Sequence, residues 1–419
     1  MAKFTTPKGM RDFSGSEMQM REQMLDGVRR VYKKWGYQPL SNPALENITT
    51  LTAKSGEEIA GQLFRVEESE LALRFDLTVG LARFAANTST PKPYKRYCIA
   101  PVWRREEPQK GRMREFLQAD ADIIGSTSMR CEGELLAMAC EALQEIGFGE
   151  FKIFVNNRKI LNGIIEKLQC EENEGAVLRA LDKLDKIGIE GVKKELEKSG
   201  VDKKSIGKLM DSVMQKYGDN EKMLKIAKEY SSEGAAELEK LLKILKDEYE
   251  ISNVFIDLSM VRGLGYYTGP IFEIKASEEI GSVAGGGRYD TLLGLYGQND
   301  YAVGISLGIE RLFALKKEEI RRFAQSDVMI VCIEEKYYSE AIKIASKLRE
   351  GGINAETDLN ERKMRGQLEY ANACNISFAL ILGKKEIESG KYTLKNLKTG
   401  EQKEMDLEKI IEQIKAKKS

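Results

Sequence analysis

Apolar positions recur at three- and four-residue spacing along SEMQMREQMLDGVRRVYKKWG (16–36), where Met20, Met24, Val28, Val31 and Trp35 share one face of a helix that Gly36 ends. YQPLSNPALE follows as extended chain, because Pro39, Pro43 and the residues before them disfavour helix. Between 71 and 160 the pattern reads strand, helix, strand, strand: LALRFDLT, a helix through Leu81 and Phe84, YCIAPVWR, and EFLQADADIIG. From 160 to 250 Lys, Glu and Leu dominate, with helical spacing in KLMDSVMQKYG and AAELEKLLKILKDEYE, which predicts a helical insertion. Strand-like runs return at NVFIDLS (253–259), IFEIKA (271–276) and YAVGISL (301–307), the last leading into the helix GIERLFALKKEEI. The first core therefore closes around the insertion. From Asp327 onward, VMIVCIE, INAETDL and ISFALILG alternate with helical segments, predicting βαβ units and a small, mostly parallel sheet.

At 419 residues the chain is long enough for several domains. Its 66 basic and 66 acidic residues cancel, so a uniformly basic nucleic-acid coat is excluded, though a local basic face is not. The start of the chain, MAKFTTPKGMRDFSG, is polar and turn-rich, and no apolar run is long enough to cross a bilayer, so the expected location is the cytoplasm with no membrane partner. None of the 6 cysteines falls in a C-x-x-C pair, which leaves buried thiols as the simplest reading. The histidine count is 0. That removes Ser-His and Cys-His nucleophiles, imidazole bases and histidine metal ligands, so chemistry must run on carboxylates, Arg, Lys, Tyr, backbone amides or a bound metal ion.

The segment CIAPVWRREEPQKGRMREFLQADADIIG (98–125) places a charged loop between two strands, and such a loop must project outward. Along its second strand, alternation puts Leu117, Ala119, Ala121 and Ile123 on one face and Phe116, Gln118, Asp120 and Asp122 on the other. The apolar face packs. The polar face is expected to line a wet cavity, the competing reading being a solvent-exposed sheet face. Arg104 ends the first strand, and Arg112 and Arg114 lie on the far side of the loop, which suits a ligand with an anionic phosphate end. VRGLGYYTG (261–269) carries more than a turn needs, and is expected to be a glycine-flexed hairpin delivering Arg262. In VAGGGRYD three successive glycines call for close approach to a ligand or another strand, while the spacing fits neither the Rossmann nor the P-loop pattern. In GISLGIERL an arginine, Arg311, stands at a helix start against the helix dipole, which suits an anion site.

Together these residues resemble the histidyl-tRNA synthetase family of class II aminoacyl-tRNA synthetases over essentially the whole chain. TPKGMRDF is similar to its amino-terminal signature, GYQPLSNPALE to motif 1 with its proline at Pro43, WRREEPQKGRMREF to motif 2, and GISLGIERL to motif 3; RGLGYYTG and GGGRYD are its two specific signatures. The resemblance implies an α+β fold. A class II antiparallel-sheet catalytic core would occupy 1–160 and 251–322, interrupted by a helical insertion at 161–250, with a C-terminal α/β anticodon-binding domain at 327–419.

It also implies roles. Arg104 would contact the ATP α-phosphate and Arg112 the other phosphates; Glu106 would bind the adenine amino group, with Phe116 and Arg311 stacked on the two adenine faces. Arg262 would hold the histidine carboxylate and the α-phosphate, Asp76 and Thr78 would take the α-amino group, Gln118, Asp122, Tyr267 and Tyr289 would surround the imidazole, and Tyr266 would also be histidine-binding. ATP with Mg²⁺, histidine and tRNA(His) are the implied substrates, and motif 1 implies a homodimer. One position departs from the pattern: Gly265 stands where the family usually has Asp. The rival reading is a non-catalytic histidine-binding relative that regulates ATP phosphoribosyltransferase.

Overall fold

The computed structural model describes residues 4–53, 59–109, 111–167, 169, 174–213, 218–262, 266–277, 279–319 and 324–416. Gly265 and Cys170 lie outside the described residues. The chain divides into two compact units, a larger one containing Arg21–Glu318 and the residues through Asp12, and a smaller one containing Phe13–Met20 and the residues from Glu319 onward.

In the larger unit the strands in chain order are β1 (Gln38–Pro39), β2 (Leu45–Asn47), β3 (Leu71–Leu73), β4 (Tyr94–Trp103), β5 (Glu115–Ile124), β6 (Lys152–Asn157), β7 (Val254–Ile256), β8 (Pro270–Ser277), β9 (Gly281–Arg288) and β10 (Ala302–Gly308). The described residues form an eight-stranded sheet in the order β1-β4-β5-β10-β9-β8-β6-β7, beside a small β2-β3 ladder. Pairing is antiparallel from β4 through β8 to β6, and parallel where β1 meets β4 and β7 meets β6. The expected hairpin at 261–269 is not one. β6 lies between β7 and β8, so the two strands flanking this segment are not neighbours in the sheet.

The alternation of β5 survives in three dimensions. Ala119, Ala121 and Ile123 are buried, and Tyr32, from the helix Gly15–Lys34, donates its phenol hydrogen to the Ala119 carbonyl at 3.0 Å. The opposite face departs from expectation. Phe116 and Gln118 line a cavity, but Asp120 and Asp122 are buried, at 4% and 3% exposure. Their burial is possible because β4 supplies a cation in register: Arg96 stands directly across from Asp122 and is wholly buried with it.

The helix Arg130–Glu145 was not evident from periodicity because most of it is enclosed: Cys131 through Gly133, Leu135 through Cys140, Ala142 and Leu143 are all buried, leaving little polar stripe. Its Glu132 forms a buried pair with Arg288 at 2.6 and 2.8 Å, and Arg288 also donates to the carbonyls of Ser126 and Ser128. The arginine of GGGRYD is thus a structural anchor on the side of the sheet away from the cavity. Glu132→Ala should lower the unfolding free energy by about 3–5 kcal/mol, since it removes the bidentate partner of a buried guanidinium and leaves only the Asp290 carboxylate at 3.4 Å, and denaturant unfolding reads the loss directly.

Between β6 and β7 the named elements are all helices, from Arg158–Lys167 to Ser232–Tyr249. In the smaller unit, β11 (Val328–Cys332), β12 (Ala355–Thr357) and β13 (Phe378–Leu382) are parallel, and β14 (Tyr392–Asn396) and β15 (Gln402–Met405) extend the sheet antiparallel. β11 is buried on both faces. Val328 and Ile330 pack with Ile344, Leu348 and Ile410, while Met329 and Val331 pack with Ala371 and Ile376. No helix among the described residues is long and apolar enough to cross a membrane.

Candidate active site

The β4–β5 hairpin projects the charged loop, and the amino-terminal segment braces it. The Arg114 amide donates to the Gly9 carbonyl at 2.8 Å, the Arg104 amide to the Arg114 carbonyl at 2.8 Å, and the Arg114 Nε to the Glu106 carbonyl at 2.9 Å. Arg114 is therefore a loop brace rather than a member of the cavity lining, whereas Arg104, Glu106 and Arg112 line it.

The cavity, about 240 Å³, is completed by Phe116 and Gln118 of β5, Arg262, the start of β9, Ser306 of β10, and Glu310 and Arg311 at the head of the helix Ile309–Lys316. Arg104 donates through Nε to the Phe75 carbonyl at 3.0 Å, and its guanidinium lies 5.1 Å from the centre of the Phe116 ring. Arg262 pairs with Glu273 of β8 and donates from Nη2 to the Ser282 hydroxyl at 3.2 Å. Arg311 donates to the Ser282 carbonyl. Burial, then the neighbouring guanidinia of Arg112 and Arg262, push the Arg311 pKa down to about 10, with Glu273 opposing and Arg104 adding to the effect. Four cations this close repel one another, and an anion among them relieves that repulsion. Glu310 does different work. Its carboxylate accepts from the Leu117 amide at 2.7 Å and pairs with Arg21, fixing the start of β5 against the helix.

The glycines now have specific reasons. Gly285, Gly287 and Gly304 fall on the cavity face of the sheet, in register with Ser306 and Asp122. A Cβ on Gly285 would stand 2.4 Å from the Arg262 Cζ, one on Gly287 3.0 Å from the Tyr267 ring, and one on Gly304 2.0 Å from Asp122 Oδ1. They form a floor on which an arginine, a tyrosine and an acid can lie flat. Gly285→Ala is expected to cut turnover by about a hundredfold, because Arg262 must move by an ångström or more, and steady-state kinetics of the purified variant measure it.

Beyond the cavity lining lies a second set. Asp76 accepts from the Val79 amide at 2.9 Å and so caps the helix Thr78–Asn87, whose first residue is the half-buried Thr78. Tyr266 and Tyr267 lie against each other with ring centres 4.3 Å apart and planes tilted by 40°, and Tyr266 meets Tyr289 edge-on at 6.4 Å. Tyr289 donates its phenol hydrogen to Asp122 at 2.5 Å, and Gln118 donates to the Ser306 hydroxyl at 2.9 Å. Burial pushes the Tyr266 phenol up to about 12, Tyr267 opposing and Asp76 adding, with Arg262 and Arg104 near enough to lower it. Arg262 lies over Gly285 and Tyr267 over Gly287, two residues on in β9, which brings the acid and tyrosine set beside the arginine cavity. The two glycine signatures are also tied together, since the Thr268 amide donates to the Arg288 carbonyl at 2.8 Å and the Thr268 hydroxyl accepts from the Asp290 amide at 3.1 Å.

Sequence reasoning missed Arg96, Glu273 and Ser282. Glu273 and Ser282 carry no signal until strand register is known; Arg96 shares its strand alternation with Cys98, which marks an inward face.

Comparisons with known proteins point to one family. A family model described as histidyl-tRNA synthetase matches residues 9–312, and one described as an anticodon binding domain matches residues 327–417. The histidine–tRNA ligase of Aeropyrum pernix is 39% identical, the alignment covering 97% of this chain and 97% of its own, and that of Cytophaga hutchinsonii is 36% identical over 99% and 100%. The crystal structure of histidyl-tRNA synthetase from Nostoc sp. PCC 7120 matches with a TM-score of 0.86 at 30% identity, covering 100% of both chains. By motif, fold and full-length similarity, the chain belongs to the histidyl-tRNA synthetase family.

Proposed function

We propose that this protein activates histidine with ATP and transfers it to tRNA(His), and that the cavity and the acid and tyrosine set beside it form one active site. The observation that carries the reading is the convergence of Arg104, Arg112, Arg262 and Arg311 on one cavity, with Asp76, Asp122 and three tyrosines adjoining it.

Activation is attack by the histidine carboxylate on the ATP α-phosphorus; a carboxyl–phosphate bond forms and pyrophosphate leaves. No protein base is needed, which is why a chain with 0 histidines loses nothing. What is needed is two anions held in line and neutralisation of the charge that develops. In this reading Arg104 and Arg262 meet the α-phosphate, Arg112 the outer phosphates, and Glu106 the adenine amino group between Phe116 and Arg311. Mg²⁺ arrives with ATP as part of the nucleotide substrate. Asp76 and Thr78 receive the α-amino group, and Gln118, Asp122, Tyr267 and Tyr289 enclose the imidazole, with Tyr266 completing the histidine-binding set. A terminal ribose hydroxyl of the tRNA then attacks the adenylate carbonyl and releases AMP.

Segments 1–160 and 251–322 are assigned to the catalytic core, 161–250 to an inserted helical module and 327–419 to anticodon recognition, in a homodimer working in the cytoplasm. The smaller unit supports the tRNA role through Lys363 and Arg365 at the head of the helix Met364–Ala373 and Arg362 stacked 4.5 Å over Tyr370, a combination suited to phosphates and unstacked bases. Charging of unfractionated tRNA tests the whole reading. Incorporation of histidine alone among the twenty amino acids is expected; incorporation of another amino acid, or of none, contradicts it.

A further inference from the structure

Arg96 is the largest wholly buried side chain among the described residues and belongs to no assigned role. Its Nη2 lies 2.8 Å from Asp122 Oδ2 and donates to the Leu77 carbonyl at 3.2 Å, while its Nε and Nη1 have no hydrogen-bond partner among the described residues. Leu77 sits between Asp76 and Thr78. Asp120, two residues from Asp122 on the same face of β5, faces Cys98 of β4 and Ser306 of β10, and its Oδ1 likewise has no hydrogen-bond partner among the described residues. With so few hydrogen bonds, the position of Arg96 is set mainly by charge.

We propose that Arg96 is a positioning residue that ties together the two ends of the amino-acid subsite, holding the Asp122 carboxylate at one end and the Leu77 carbonyl between Asp76 and Thr78 at the other, with Asp120 as its second counter-anion. This rests on the histidine reading above. The groups facing the cluster leave its charge balance simple. Burial holds the phenols of Tyr32, Tyr37, Tyr94 and Tyr289 above their ordinary range and the Cys98 thiol likewise up, so near neutral pH all five are uncharged. The ionisable charges left are Arg96, Asp120 and Asp122, with Asp76 nearby. Burial pushes the Asp120 carboxyl up to about 7, Arg96 opposing, Asp122 adding, Ser306 opposing and Asp76 adding. Remove Arg96, and two buried carboxylates on one strand lose their shared cation. They must then take up a proton, and Asp122 ceases to be a dependable acceptor for an imidazole N–H.

The experiment is histidine-dependent ATP–pyrophosphate exchange at pH 7, with KM for histidine and for ATP determined separately. Arg96→Met is expected to raise KM for histidine by about tenfold or more while KM for ATP stays within about twofold, the signature of a lost contact at one substrate only. Adding Asp120→Asn to Arg96→Met removes the competing carboxylate and should recover a measurable part of that loss. Arg96→Lys keeps the cation and should fall between Met and wild type, and it remains informative if the Met variant fails to fold. KM values for both substrates rising together, or no recovery on adding Asp120→Asn, would make Arg96 a purely structural residue and overturn the proposal. A wild-type protein with no histidine-dependent exchange would instead overturn the histidine reading beneath it.

Discussion

Arg262→Ala should reduce histidine-dependent ATP–pyrophosphate exchange by about 10²–10³-fold, the scale seen when one preorganised charge-stabilising donor is removed from a site. Arg262 is placed to act as an electrostatic clamp by three separate devices: Glu273 pairs with it, the Ser282 hydroxyl accepts from it, and Gly285 leaves the space its guanidinium occupies. In the proposed mechanism its charge acts where negative charge grows as the carboxylate attacks phosphorus, so the loss should fall on kcat more than on KM. Lys in its place retains a positive charge but not the planar fork, and should recover only part of the rate. An Arg262→Ala variant with wild-type exchange would remove this residue from the mechanism.

The second large effect concerns selectivity. Asp122→Ala should abolish histidine activation, with a loss on the order of 10⁴ in kcat/KM for histidine, because a pocket built on a polar contact rejects ligands strongly when that contact is missing. Asp122 is suited to recognise the imidazole N–H since Arg96 pairs with one of its oxygens and Tyr289 donates to the other, so its orientation is fixed before substrate arrives. Asp122→Asn keeps the shape and separates the loss of charge from damage to packing. Both variants should still bind ATP, since the arginines proposed to hold it line the cavity and Asp122 does not. Unchanged exchange in Asp122→Ala would sink the assignment.

Much of this was readable from residue order, and the limits have physical causes. Period-two alternation placed Phe116, Gln118, Asp120 and Asp122 on one face of a strand, and they share that face in the sheet. Alternation cannot say what lies opposite. The expectation of a wet polar cavity therefore held for Phe116 and Gln118 and failed for the two acids, because Arg96 approaches from the neighbouring strand and lets them be buried. The three glycines of GGGRYD predicted a close approach, but which groups approach is a matter of register: Arg262 over Gly285 and Tyr267 over Gly287. The hairpin reading of VRGLGYYTG failed for a topological reason, since strands adjacent in sequence are separated in the sheet by β6, from 100 residues earlier in the chain by order of magnitude. Long-range pairing of that kind leaves no local pattern.

The most direct measurement is ATP–pyrophosphate exchange by the purified wild-type protein with and without histidine. Robust exchange that requires histidine is the predicted result; it would also show that glycine at position 265 is compatible with adenylate formation. No exchange from a folded protein that still binds histidine would contradict the account and leave the chain a histidine-binding relative without catalysis.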